Sequence, residues 1–206
     1  MSTPMTITAR LTTAVVGMER NLILDGPLTF TWMRLARQAG RHVPPPTDAY
    51  AADAELPFEK WDIDGVWGWC VSRAEERVIK YTTVESRRKP AIREMSLLTA
   101  QKTINPGVGN GKARNAIIPA RLTTTMRWHA LVTDLDELGA LLEHTPNISA
   151  QWRNGFGHVS SWTIERSENP KLWMNRPLPS PDGTLAPIRP PYWHRSRYVP
   201  CKEEKC

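Results

Sequence analysis

The chain has 206 residues, 40% hydrophobic and 23% charged, with a net charge of +6 and a pI near 9.5. That is enough chain for one sizeable core and enough positive charge to favour a polyanionic partner. No run of about 18 apolar residues offers a membrane span, no basic n-region leads an apolar stretch at the start, and three cysteines, an odd number, do not make a disulfide framework. A reducing cytoplasm is the expected compartment. Nine tryptophans are many for this length; indoles fill cores but also stack on bases and anchor protein contacts.

Met5–Val16 alternates and is rich in β-branched residues, which predicts a first strand. Ile7, Ala9 and Leu11 face one side, and Thr6, Thr8 and Arg10 the other. Asp25-Gly26-Pro27 punctuates the chain, and a short helix is expected over about Phe30–Ala39, with Arg34 and Arg37 sharing a face. Gly40 stops it, and Pro44-Pro45-Pro46 imposes a loop. Trp61–Arg73, around the run Val66–Val71, reads as a second strand and Arg77–Glu85 as a third, with Glu75-Glu76 turning between them.

From Ser86 to Pro119 the composition shifts. Arg87, Arg88, Lys89, Arg93, Lys102, Lys112 and Arg114 stand against a single acidic residue, Glu94, with glycines at 107, 109 and 111. Such an excursion either clamps a nucleic-acid backbone or is a solvated loop. Leu122–Thr133 returns to strand character, with Trp128 and His129 at its middle. Asp134–His144 then reads as a helix: Asp134 caps it, Glu137 lies in capping-box register, and Leu135, Leu138, Leu141 and Leu142 form one stripe.

The stretch Ile148–Ile164 joins that helix to a strand over Val159–Arg166. Gly155 and Gly157 permit positive φ and close backbone approach. Exposed amides and Arg153 suit a phosphate, and Trp152 or Phe156 offers a face to a base. The alternative is a tight turn whose glycines serve geometry alone. The tail, Asn169–Cys206, is proline-rich, with Trp173, Tyr192, Trp193 and Tyr198; an irregular segment packed on the body or a partner is expected. The order β-α-β-β-(insertion)-β-α-β contains the elements of an α+β, ferredoxin-like fold. The expected division is a ferredoxin-like core over 1–86 and 120–168, a basic insertion over 87–119 and a C-terminal extension over 169–206.

Two chemistries are weighed. His42, His129, His144 and His158 invite metal-independent RNA cleavage, for which His129 with Lys112 or Arg114 is the best set; the competing reading is a packed, hydrogen-bonded His129. Cys201 and Cys206, with His194 and Cys70 as remote additions, fall short of a zinc pattern, and an exposed tail is expected there instead. No metal or other cofactor is expected. Arg34, Arg37 and the Arg87–Lys89 cluster are either RNA contacts or solvated faces.

The ferredoxin-like core, the glycine loop after its last helix and the basic excursion together resemble the RAMP superfamily of CRISPR RNA-binding proteins, whose core is a palm and whose excursion is a thumb. Trp128-His129-Ala130, Trp152-Arg153-Asn154-Gly155-Phe156-Gly157-His158-Val159 with Trp162, Arg176-Pro177-Leu178-Pro179 and Arg189-Pro190-Pro191-Tyr192-Trp193 narrow the likeness. With Leu24-Asp25-Gly26 and Trp67-Gly68-Trp69 in the first half, the set looks like the Cas-five-type subunit of type IV CRISPR–Cas complexes. Ser149-Ala150-Gln151 departs from the glycine and basic residue with which the superfamily loop often starts. The resemblance implies a non-catalytic subunit that caps the 5′ handle of the crRNA. Its expected partners are a backbone Cas-seven-type RAMP, a large Cas-eight-like subunit, target DNA through the complex with its flanking motif, and a DinG-type helicase. The expected RNA contacts are Trp152, Arg153, Asn154, Gly155, Phe156 and Gly157, a thumb carrying Arg87, Arg88, Lys89, Lys102, Lys112 and Arg114, and Arg34 and Arg37. The alternatives are a RAMP endoribonuclease that processes its repeat RNA and a protein-interaction module that binds no RNA.

Overall fold

The computed structural model describes residues 1–17, 22–47, 50–88 and 114–203. The fold is mixed α+β, with mostly antiparallel strands and, among the described residues, two α-helices.

The main sheet runs β5 (Glu75–Glu76), β8 (Thr125–Val132), β1 (Thr3–Leu11), β9 (Val159–Arg166), every neighbour antiparallel. Met5, Ile7 and Ala9 lie opposite Ala130, Trp128 and Met126, so one face of β1 and β8 is continuously apolar. Two helices close that face, α1 (Asp25–Gln38) through Leu28 and α2 (Leu135–Glu143) through Leu138, Leu141 and Leu142. Trp128 fills the centre, and its indole N–H donates to the Leu22 carbonyl at 2.9 Å, so its one polar atom is satisfied. Asp134 accepts from the Glu137 amide at 2.9 Å, the cap expected from the sequence.

Several expectations need correction. The first strand ends at Leu11; Val15 and Val16 form a separate strand, β2, which pairs with β7 (Arg114–Leu122) in another sheet. Helix α1 begins at Asp25 and not near Phe30, because a proline in the first helical turn gives up only an amide that has no partner within the helix. Trp61–Arg73 is a hairpin of β3 (Lys60–Ile63) and β4 (Val66–Trp69) instead of one strand. Asp64 and Gly65, at φ 53° and 77°, make a two-residue turn of positive φ, whose twist matches a hairpin. Glu75-Glu76 is no turn but β5, lying against Met126 and Arg127. The strand read over Arg77–Glu85 is β6 (Lys80–Arg88), and it pairs with β7 in the sheet β2-β7-β6. The basic excursion is thus entered and left by a β-ribbon running from Lys80 opposite Leu122 to Arg88 opposite Arg114. Lys89, Arg93, Lys102 and Lys112 lie outside the described residues.

The tail is also ordered. β10 (Pro177–Pro187) and β11 (Tyr198–Glu203) pair antiparallel, with a register shift between Pro179 and Thr184. Prolines are tolerated there because each strand of a two-stranded sheet has an outer edge that donates nothing to the ladder. At the shift an added Cβ on Gly183 would run into the Cys201 backbone, so β10 closes on β11 only through glycine. Leu178, Ile188 and Cys201 join Trp61 and Cys70 in a second apolar core. Cys201 is therefore buried rather than solvent-exposed, while Cys206 lies outside the described residues.

Candidate nucleic-acid interface

The chain leaves α2 at Glu143 and reaches β9 through a loop held at both ends. Ser149 Oγ accepts from the Val16 amide at 2.7 Å, and the Ile148 amide donates to the Gly157 carbonyl at 3.0 Å. Trp152–Asn154 form one 3-10 turn between two left-handed positions, Gln151 at φ 59° and Gly155 at φ 82°. Gly157, at φ 64°, is the tightest point. A Cβ there would stand 2.8 Å from the Ser149 amide nitrogen and still closer to the Ser149 side chain. That packing fixes glycine at 157, whereas at 155 only the backbone angle asks for it.

Both glycine amides are engaged inside the chain: Gly155 N–H donates to Trp152 O at 2.9 Å and Gly157 N–H to Ala14 O at 2.8 Å. The Gly155 carbonyl accepts from Thr13 Oγ1 at 2.8 Å, and the same hydroxyl receives the His158 amide at 2.8 Å. The amides of the two glycines are thus engaged inside the chain, which fits the geometric reading of these residues. The loop presents the Trp152 and Arg153 side chains outward. Trp152 is 41% exposed, the Arg153 guanidinium lies 5.3 Å from its ring centroid, and the Phe30 ring of α1 is 5.6 Å away. An indole with a guanidinium on it is a surface for stacking bases and meeting phosphates. Asn154 is exposed but bonded to the Gln151 side chain at 2.9 Å, and Phe156 is half-buried.

Arg34 is half-buried, and its Nη2 donates to the His144 carbonyl at 2.7 Å, beside the start of the loop; Arg37 is exposed on the last turn of α1. The ribbon is tied to the same region by β2. Val15 and Val16 pair with Arg121 and Ala120 of β7 on one side, and Val16 bonds Ser149 on the other. Arg121 is buried and anchors the ribbon root, its Nε 2.5 Å from Glu76 and its Nη1 3.2 Å from the Gly17 carbonyl. Arg87, Arg88 and Arg114 fall on the ribbon backbone, Lys89, Lys102 and Lys112 beyond it. Sequence reasoning missed Phe30, Thr13 and Ser149. An aromatic in an amphipathic helix and two short hydroxyl residues carry no local mark of a shared loop.

His129 projects from β8 with Thr6 Oγ1 3.1 Å from Nδ1, Glu75 3.5 Å from Nε2, and 8% exposure. Among the described residues no three His, Cys, Asp or Glu side chains gather as a metal-holding group, and no helix is long and apolar enough to cross a membrane.

The tail is locked to α1 by a buried ionic cluster. The Asp25 and Arg176 side chains have no exposed surface, and Arg176 Nη1 is 3.6 Å from Asp25 Oδ2. Arg176 also donates to the carbonyls of Trp69, Val71 and Ile188, and Tyr192 O–H donates to Asp25 Oδ1 at 2.6 Å. Burial pushes the Asp25 carboxyl above its ordinary range, opposed by the Arg176 charge. The Tyr192 phenol is pushed up by burial and by that carboxylate. These residues, Leu24-Asp25-Gly26, Arg176-Pro177 and Pro191-Tyr192, are among the marks noted in the sequence, and here they are one contact.

No curated protein matches the chain. The family model for CRISPR type IV associated protein Csf3 matches residues 3–204. That span takes in the main sheet, the ribbon, the glycine loop and the tail hairpin together, so the chain belongs to the Csf3 family of type IV CRISPR-associated, Cas-five-like proteins.

Proposed function

We propose that this Csf3-family chain is a non-catalytic RNA-binding subunit of a cytoplasmic type IV complex and caps the 5′ handle of the crRNA. The observation that carries the reading is the exposed Trp152 ring with the Arg153 guanidinium over it, held out on a loop fixed by Ser149 and Gly157. Stacking on Trp152 and phosphate contacts from Arg153 and the ribbon would supply affinity without reading a long sequence. The strand order β5-β8-β1-β9, with α1 after β1 and α2 after β8, supports the reading of a ferredoxin-like RAMP palm. The ribbon β6–β7 would be the root of the thumb. Contacts with a backbone subunit and a large subunit, and a share in reading the motif beside the DNA target, belong to the same proposal. The packed position of His129, with Thr6 and Glu75 at its ring nitrogens, supports a structural histidine.

The test is binding of labelled handle RNA at several salt concentrations. A Trp152→Ala, Arg153→Ala variant should bind about 10- to 100-fold more weakly, the range for removing one or two stacked bases' support. Removing the charges of Arg87, Arg88, Lys112 and Arg114 should flatten the dependence of log affinity on log salt, by about 0.7 for each phosphate no longer neutralised. Parental affinity in the first variant would refute the platform, and an unchanged slope in the second would refute the thumb. Metal-free cleavage of repeat RNA that His129→Ala abolishes would refute the non-catalytic part.

A further inference from the structure

Behind the Trp152 platform lies a cleft of about 540 Å³ between α1, the loop after α2 and the proline-rich segment 190–193. Its mouth is aromatic: Phe30, Trp152 and Trp193 are 51%, 41% and 68% exposed. Met33, Pro46 and Pro191 also line the cleft. The size is that of a small-molecule or single-residue site.

Several of the polar side chains along the wall are engaged with one another or with the backbone. The Thr31 and Thr145 hydroxyls bond each other at 2.8 Å, and Thr145 also donates to Leu141 O at 2.7 Å. Asn147 Nδ2 donates to Phe156 O at 3.2 Å, Ser149 Oγ is bonded to Val16, and Tyr192 turns its hydroxyl to Asp25. An occupant therefore meets flat apolar and aromatic walls, while cations stand at the entrance. Arg34 lines the cleft beside His144, and Arg153 lies on the outer ring of Trp152. An occupant that matches is planar and apolar on its faces and anionic where it joins its chain. A nucleobase on its sugar-phosphate backbone has that form. An apolar side chain of another protein would use the walls but give the two guanidinium groups no anion.

We infer that the cleft receives one unstacked nucleobase of the bound single-stranded RNA, held by stacking and shape more than by hydrogen bonds to its edges, with Arg34 and Arg153 on the adjoining phosphates. This rests on the RNA-binding reading above and adds an insertion site that the reading does not require. Stacking in an aromatic and apolar cleft tolerates base identity, because every base offers a flat π face.

The test uses the full chain and a set of handle RNAs, each with one nucleotide made abasic, alongside RNAs with the base at the same position exchanged. One abasic position should weaken binding about tenfold or more, the range of a single aromatic stack, while base exchange there changes it by less than about threefold. Met33→Trp, which narrows the cleft and leaves Trp152 in place, should bind intact RNA about as weakly as the parent binds that abasic RNA, with little further weakening on abasic RNA. A melting curve confirms that the variant folds, and Phe30→Ala, which removes one wall, serves if it does not. Tight binding of intact RNA with no sensitive abasic position overturns the insertion site and spares the platform. Absence of RNA binding in the parent overturns both. A base exchange as costly as base removal overturns the claim that stacking and shape outweigh edge contacts. Unchanged RNA binding by Met33→Trp, together with failure to associate with another subunit, makes the occupant a protein and overturns the inference.

Discussion

Replacing Arg176 with methionine removes the only cation beside a carboxylate that has no exposed surface among the described residues. The aliphatic stem is roughly conserved, so the change leaves packing nearly intact and isolates the charge. Asp25 would keep the Tyr192 hydrogen bond at 2.6 Å but lose the guanidinium, and the carbonyls of Trp69, Val71 and Ile188 would lose their donor. Breaking one side of a buried pair costs about 3–5 kcal/mol, against a total stability of roughly 5–15 kcal/mol for a domain. At about 2–4 °C per kcal/mol for a chain of this size, the melting temperature should fall by roughly 6–20 °C. The pH dependence fixes the cause. Burial already holds the Asp25 carboxyl above its reference value of 3.8, so the native state takes up that proton more readily than the unfolded chain. The associated stability is fully present below 3.8 and is lost as pH rises through the folded value. Without Arg176 the folded value climbs further, so the deficit of the variant should shrink on acidification from neutral pH. Asp25→Asn combined with Arg176→Met should be more stable at neutral pH than Arg176→Met alone. Urea titrations at neutral and acidic pH read all three quantities. A single variant within about 0.5 kcal/mol of the parent, or a double variant carrying the full sum of the two losses, would refute this account of the cluster.

Gly157→Ala should destabilise the fold by roughly 2–4 kcal/mol, because it combines left-handed strain with collision against Ser149, while Gly155→Ala, in open space, should cost only about 1 kcal/mol. Equal losses in denaturant titrations would show that the loop is not anchored at 157. Asp134→Ala should cost about 1 kcal/mol by releasing the Glu137 amide; unchanged stability in the same assay would remove the cap from the account. The Cys70 thiol is pushed up to about 12, chiefly by burial and then by Glu59, so it should resist alkylation at pH 8 until the protein unfolds. Rapid labelling of Cys70 in the native protein, read by peptide mass, would contradict its place in the second core.

The parts of the molecule with strict local periodicity are legible from the residues alone. The helix with its Asp134 cap, the alternation of β1 and the strand Val159–Arg166 reappear as expected, and of the leucine stripe Leu138, Leu141 and Leu142 are buried while Leu135, in the first turn, is exposed. Where the reading slips, two local signals compete. Asp64-Gly65 is a hairpin turn, yet the apolar run Val66–Val71 behind it reads as one long strand. Asp25-Gly26-Pro27 looks like a break and is the opening of a helix, since the first turn needs no proline amide. The tail is illegible for a different reason. Its order comes from contacts such as Tyr192 with Asp25, 167 positions apart, and from Arg197 with Ala51 O and Asp53, none of which any short window contains. At the glycine loop the sequence points to Trp152 and Arg153, but not to the internal partners that occupy the glycine amides.

The Asp25–Arg176–Tyr192 contact also sets an order of assembly. When α1 leaves the ribosome its leading carboxylate has neither counter-ion nor phenol, and synthesis must run on to Tyr192 before the buried seat is neutralised and capped. Until then Asp25 is better hydrated outside, and the start of α1 gains little by docking on the sheet. A chain shortened before Arg176 would therefore lose more than a C-terminal appendage: it would reach the end of translation with its first helix still unsealed.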